Sequence, residues 1–399
     1  MNKTSGQLSL FNDEELQELE NSQKLDPRNR KVKNPVANPT AFGWLFQVIA
    51  AIVLSLEYKE NLKEVKVEGE TEDIEIYLTN TAPIYAQAKA TMGDVRKVEV
   101  STPTKNAMNT LLNTSNAVSK YSKLIYISNF INPVSLDEID LSARWLVNGS
   151  TLFEKNFQDI PNQGQEYLRE RLEKAQEDLK DGKYLYTKKK FDWNKLYVDI
   201  MIFESTNEER KKINANPDCK IIDHHNHCVV LSNEIDEIVQ RKKLKDRIYN
   251  KLLSRFYENA ATKSIRISKN RLMGIFITEV IQETESENIK NIYPAYRKMI
   301  EDYIDGFLDD QSMNIDVIND ITSSFYEYWN KNTLKNNVNA QKIKQNFVNT
   351  QWIKFKENFP IDKSKFSKKI QEEAIKLLIL QIIDKEENIN EIRTEFNEK

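Results

Sequence analysis

Glycine is scarce in this chain, with nine among 399 residues. Neither G-x-x-x-x-G-K-[ST] nor G-x-G-x-x-G occurs, which argues against a phosphate cradle built from a glycine-rich loop. Cysteine is scarcer still. Cys219 and Cys228 are the only two, too few for a disulfide framework. Long apolar runs are also missing: the longest, Trp44 to Leu56, is broken by Gln47 and Ser55 and is too short to span a bilayer. The first residues, "MNKTSGQLSLFNDEELQ", lack the basic-then-apolar layout of an export signal. A reducing cytoplasm and no membrane association are the expectation. Excess charge of one sign is absent too. The net charge is only −3, so any surface for nucleic acid has to be local.

What is present suits a soluble protein of two or three domains, 39% hydrophobic and 30% charged. Residues 1–36 read as an arm and linker. "LFNDEELQELEN" has a helical pattern, and "PRNRKVKNPVANP" is basic and punctuated by proline. Its Arg28, Arg30, Lys31 and Lys33 suit either a solvated tail or contacts to phosphate.

From Thr40, a candidate N-cap, "TAFGWLFQVIAAIVLSLEY" is apolar nearly all round and predicts a buried helix. "VKVEGETEDIEIYL" places Val65, Val67, Ile74, Ile76 and Leu78 at period two on either side of a turn, which predicts a hairpin. "PIYAQAKAT" is a third strand, "TPTKNAMNTLLNTSNAVSKY" a helix and "KLIYISNF" a buried strand. This order describes a small α/β domain. "PNQGQEYLRERLEKAQEDLKDGK" predicts a helix, and "KLYVDIMIFES" a strand of the same or a second sheet. After Leu231 the patterns are almost all helical, in "NEIDEIVQRKKLKDRIYNKLLSRFYENAA", "SKNRLMGIFITEVIQE", "PAYRKMIEDYIDGFLDD", "VINDITSSFYEYWNKN" and "KKIQEEAIKLLILQIID". The expected division is an arm over 1–36, an α/β domain over 37–210 with its core in 40–135, a hairpin and helical connector over 211–284, and a helical domain over 285–399.

The third strand holds an anomaly. Side chains alternate along a strand, so Tyr85, Gln87 and Lys89 share one face and Ile84, Ala86 and Ala88 the other. Asp73 and Glu75 share a face of the preceding strand. With the two strands antiparallel neighbours, Asp73 is expected opposite Lys89. A carboxylate, an amide and an ammonium would then stand together. That set suits phosphodiester hydrolysis: a hard divalent cation takes carboxylate, amide and phosphate oxygens and acidifies a bound water, while a lysine stabilises charge growing on phosphate.

"VEGETEDIEIYL…IYAQAKA", with Asp73 fourteen residues before Gln87, resembles the signature of the PD-(D/E)xK nuclease superfamily in its Q-x-K branch. "FGWLFQVIAAIVLSL" resembles the upstream G-x-x-[FY]-Q helix of double-stranded-DNA endonuclease effectors in bacterial anti-phage systems. Those include the nucleases of cyclic-oligonucleotide-based immunity and of Lamassu and other ABC-three-component systems. "KLIYISNF" is similar to a later core strand of that family, which tends to end in Asn. The likeness covers roughly residues 40–135, about a quarter of the chain. It implies a restriction-endonuclease-like α/β fold followed by a largely all-α region, with Mg²⁺ or Mn²⁺ as cofactor. It makes Asp73 the metal-binding acid, Lys89 the catalytic lysine and Gln47 a supporting residue. Gln87 stands where most of the superfamily has Glu or Asp. Glu68 is a further acidic contributor, a role Glu72 or Glu75 could share. The bland alternative is a surface hairpin whose Asp73 and Lys89 form an ion pair worth little.

All histidines and cysteines fall in "DCKIIDHHNHCVV". Cys219, His224, His227 and Cys228 could ligate Zn²⁺, with His225 beside them, although the spacing matches no standard finger. The segment reads as strand, turn and strand, so an exposed polar turn with two small thiols is the competing view. The basic clusters Lys188, Lys189, Lys190 and Arg241, Lys242, Lys243 could hold DNA backbone, or be solvated faces. Phe325, Tyr326, Tyr328 and Trp329 suit core or a partner interface better than base stacking.

Two classes of function follow. One is a metal-dependent endonuclease acting on double-stranded DNA. Its resemblance and helical remainder imply restraint by partners, an SMC-like ATPase and a small third subunit as in Lamassu, together with self-oligomerisation by analogy. The other is a non-enzymatic adaptor with a degenerate nuclease site. A zinc-stabilised nucleic-acid-binding module is a third reading.

Overall fold

A computed structural model describes residues 37–91, 99–130, 132–135, 153–180, 191–201, 222–223, 227–240, 242–283, 315–333, 339–359 and 367–396. The expected arm over 1–36 and the helix expected in "PAYRKMIEDYIDGFLDD" lie outside these residues. Ala41–Lys399 forms one compact unit, distinct from Met1–Thr40.

Helix α1 spans Ala37–Glu57. It is apolar on nearly every side and correspondingly buried: Phe46, Val48 through Leu54 and Leu56 have no exposed surface. The one buried hydroxyl in that run, Ser55, donates to the carbonyl of Ala51 at 2.6 Å. Thr40 is not the N-cap, because the helix begins three residues earlier. Pro39 is compatible with that start, since the first helical N–H groups have no intrahelical acceptor to lose.

Strands β1 (Leu62–Val67) and β2 (Ile74–Leu78) form the expected antiparallel hairpin, and β3 (Ile84–Lys89) pairs antiparallel with β2. Helix α2 (Ser101–Ala117) then crosses to β4 (Lys123–Ser128), which is parallel to β3. The sheet is larger than the pattern suggested. β5 (Phe153–Asn156), α3 (Asn162–Lys180) and β6 (Leu196–Ile200) follow, and β6 joins the same sheet parallel to β4. β5 pairs antiparallel with β6. A two-residue strand from the helical half, β9 (Ile267–Ser268), closes the far side against β1. The order is β5-β6-β4-β3-β2-β1-β9. The additions β5 and β9 carry too few alternating residues for period two to reveal them.

Each face of the sheet packs in its own core. Tyr85, Leu124, Tyr126, Val198 and Ile200 pack with Met108 and Leu111 of α2 and Leu168 and Leu172 of α3. The opposite face, with Ile74, Ile76, Ile84, Ala86, Ala88, Ile125 and Ile127, shares one core with α1 and the C-terminal helices.

Those helices are α4 (Val229–Val239), α5 (Lys242–Ala261), α6 (Lys269–Gln282), α7 (Ile315–Thr333), α8 (Ala340–Phe355), α9 (Lys368–Asp384) and α10 (Glu386–Glu395). The single helical run expected over 233–261 is split at Gln240, which has φ 49°. Ser268 caps α6, its hydroxyl accepting from the Arg271 amide. Leu252, Phe276, Ile321, Phe347, Leu378 and Ile392 belong to the same core as β1 to β3. The boundaries expected at 210 and 284 therefore do not separate cores. A separate two-stranded ribbon pairs β7 (Ile222–Asp223) with β8 (His227–Cys228). Its second strand stops at Cys228 because α4 starts at Val229, so the expected second strand is only two residues long. No helix among the described residues is long and apolar enough to cross a membrane.

Candidate active site

The β1–β2 turn and the ends of β3 and β4 meet at one end of the sheet's strands. The turn is closed from within, as the Glu68 amide donates to Asp73 O at 2.8 Å and the Gly69 amide to Glu72 O at 3.0 Å. Glu68 takes the left-handed conformation, φ 50°, that reverses the chain here. Glu75 braces the turn from below. Its carboxylate accepts from the Thr71 amide at 2.9 Å, the Thr71 hydroxyl at 2.8 Å and the Tyr77 hydroxyl at 2.8 Å. Gly69 makes room for it: a Cβ there would lie 2.2 Å from the Glu75 Cδ.

Asp73 stands one step beyond the paired residues Ile74 and Ala86, so the register sets it opposite Gln87 rather than opposite Lys89. The five residues between β2 and β3 fix that register, and a strand can slip by two without changing faces. Lys89 is diagonal to Asp73, its Nζ 3.9 Å from Asp73 Oδ2. The same oxygen accepts from Gln87 Nε2 and, at 3.0 Å, from the Ala88 amide. Asp73, Gln87 and Lys89 thus converge on one oxygen. Gln87 is buried, while the Asp73 and Lys89 side chains are 18% and 28% exposed. A pair this open to water adds less than about 1 kcal/mol to stability.

Glu68 belongs to the same electrostatic group. Burial, then the Asp73 charge, pushes its carboxyl above the usual range, against the pull of Lys89. Gln47 does not join the group. It lies half-buried on α1, whose apolar side chains share a core with the other face of the sheet, and no hydrogen bond links it to Asp73, Gln87 or Lys89 among the described residues.

Sequence reasoning named Glu72 only as an option and gave Asn129 no role. Glu72 is 4% exposed. Thr114 Oγ, from the last turn of α2, lies 2.7 Å from Glu72 Oε1 and 3.3 Å from Thr71 O. The Thr114 hydroxyl donates to the Glu72 carboxyl, with Thr71 O as a second, longer acceptor. Burial pushes this carboxyl up to about 8, and the neighbouring Asp73 charge adds to the shift. Asn129 follows β4 and is fully buried. Its Oδ1 accepts from the Thr91 amide at 3.0 Å and its Nδ2 donates to Thr91 O at 2.7 Å, which ties down the chain just after Lys89. The sequence signal for it was the likeness of "KLIYISNF" to a core strand that tends to end in Asn.

A second polar group lies on the opposite face, where Lys123 donates to Glu154 at 2.6 Å and to the Tyr58 hydroxyl at 2.7 Å. Asp199 is fully buried beside it, and burial, followed by Glu154, raises its carboxyl well above the ordinary range.

Among the described residues, no group of three or more His, Cys, Asp or Glu side chains is placed to hold a metal ion. Asp73 with Gln87 still offers one carboxylate and one amide. A hard divalent cation accepts as little as that from protein when water and phosphate complete its shell. Gln87 presents nitrogen to Asp73 here, so its amide has to turn before its oxygen could serve. Of the expected zinc ligands, Cys219 and His224 lie outside the described residues, as does His225, and the backbones of His227 and Cys228 form β8. Lys188, Lys189, Lys190 and Arg241 are likewise outside, and Lys242 and Lys243 open α5.

No protein-family model matches the chain, and comparison with curated proteins and with solved structures finds no match.

Proposed function

We propose that the chain is a metal-dependent endonuclease of a bacterial anti-phage defence system, hydrolysing phosphodiester bonds of double-stranded DNA. The observation that carries this reading is the convergence of Asp73, Gln87 and Lys89 at one end of β2 and β3. Asp73 and, after its amide turns, Gln87 would hold Mg²⁺ or Mn²⁺. The bound cation would polarise the phosphate and acidify a water. Lys89 sits 3.9 Å from Asp73, where its ammonium can orient an attacking water and stabilise charge on a phosphate oxygen. Asn129 holds the end of β3 and so limits the wandering of Lys89. The cytoplasm is the proposed location. The sequence resemblance supplies the remaining assignments: an SMC-like ATPase and a small third subunit as restraining partners, and self-oligomerisation for cutting both strands.

The test is plasmid cleavage with Mg²⁺ or Mn²⁺, wild type beside Lys89→Ala, with and without the candidate partner subunits. Loss of one positioned electrostatic group is expected to slow cleavage about 10²- to 10³-fold. Cleavage unchanged by Lys89→Ala removes the lysine from the mechanism. No cleavage by wild type under any condition favours a second reading, a nuclease-like adaptor without activity. One observation speaks for that alternative: Gln87 Nε2 already occupies the Asp73 oxygen that a cation would take.

A further inference from the structure

The last turn of α5 is built into the frame of the candidate site. Asn259, two residues before the end of α5, is a poor helix former at a fully buried position. Its side chain is spent on other elements. Oδ1 accepts from the Val67 amide at 2.7 Å, and Nδ2 donates to Ile265 O at 2.7 Å. β9 pairs with β1 only at Glu64 and Val65, so Asn259 continues the edge pairing where β9 cannot reach. Val67 is followed directly by Glu68, whose amide closes the turn onto Asp73.

Lys66 makes the reciprocal connection. It is 4% exposed, and its ammonium donates to Asn259 O and, at 2.9 Å, to Thr262 O. Terminal helix carbonyls have no intrahelical donor, and the negative end of the helix favours a cation there. Lys66 is paired across the strands with Glu75, the brace of the same turn. Two strand residues and one helix residue therefore lock α5 to the hairpin strand that leads into Glu68 and Asp73.

We infer that Asn259 and Lys66 are positioning residues for the Glu68–Asp73 turn, and that the helical region sets the geometry of the site through them. The inference rests on the nuclease reading only for what the turn then does. On that reading, a partner that displaced α5 would reshape the metal-binding turn without touching it. Restraint by the helical half then acts on the position of Asp73, and access of DNA need not be blocked.

Hydrogen exchange on the whole chain, wild type beside Asn259→Ala and Lys66→Met, tests the connection independently of cleavage. Both variants are expected to speed exchange of the Val67, Glu68 and Gly69 amides at least tenfold and to leave those of β4 unchanged. Mn²⁺ affinity, read by electron paramagnetic resonance, is expected to fall at least tenfold in the same variants. Unchanged exchange in the turn overturns the inference, and so does an equal rise in β4, which would mean general loosening. Should wild type bind no Mn²⁺, the nuclease reading fails and the exchange result alone decides the latch. Should wild type bind Mn²⁺ with an affinity that neither variant alters, the claim on site geometry is overturned.

Discussion

Gln87 faces Asp73 across β2 and β3, and its Nε2 donates to the oxygen that also receives the Ala88 amide and lies 3.9 Å from the Lys89 ammonium. A glutamic acid at this position would set two carboxylates against each other when no cation is bound. The amide avoids that repulsion and holds Asp73 in place. In exchange, the site carries one negative charge less for a metal.

Gln87→Glu is therefore expected to tighten binding of Mn²⁺ by at least tenfold. It should also lower apo stability at neutral pH by about 1–3 kcal/mol, the cost of a lost charge-assisted hydrogen bond beside a like charge. Calorimetric titration and thermal unfolding, with and without Mn²⁺, check both parts. A variant that is equally stable and binds no better would mean that Gln87 and Asp73 do not share a cation site.

Glu72 makes stability depend on pH. Its carboxyl is raised from an ordinary 4.5 to about 8, so the folded chain binds this proton more tightly than the unfolded chain. That contribution is fully present below the ordinary value and is lost as pH rises towards 8. Glu72→Gln keeps an acceptor for the Thr114 hydroxyl and cannot ionise. Its stability relative to wild type should rise across this interval with a limiting slope of about 1.4 kcal/mol per pH unit, and level off outside it. Denaturant unfolding from pH 4 to 9 measures the slope. A flat difference would show that Glu72 is ionised when folded.

Gly69→Ala tests the brace under the turn. The new Cβ would come within 2.2 Å of the Glu75 Cδ, and that carboxylate is held by Thr71 and Tyr77. Moving it breaks several hydrogen bonds at once, so a loss of about 1–3 kcal/mol is expected. Glu75→Gln combined with Gly69→Ala should lose less than the sum, because both act on one contact. Additive losses would place the brace elsewhere.

Much of the local architecture was legible in the residues. The buried α1 follows from an apolar run with no polar stripe, and the β1–β2 hairpin from alternation around a turn. That Gln87 and Lys89 share a face follows from the two-residue period of a strand. Period two could not tell whether Asp73 sits opposite Lys89 or Gln87, because both registers keep the same faces. Only the closed turn and the pairing of Ile74 with Ala86 decided it.

The rest depended on residues far apart in the chain. Sequence determined the helix, the hairpin, the central strands and which side chains share a strand face, since each is set by local periodicity. Tertiary structure decided that Asn259 secures Val67, that Thr114 meets Glu72, and that β9 pairs with a strand about 200 residues earlier. Those contacts form when a strand edge and a helix end, each with unpaired backbone groups, are buried together. Burial forces each group to find a partner, and no spacing rule in the sequence names which one.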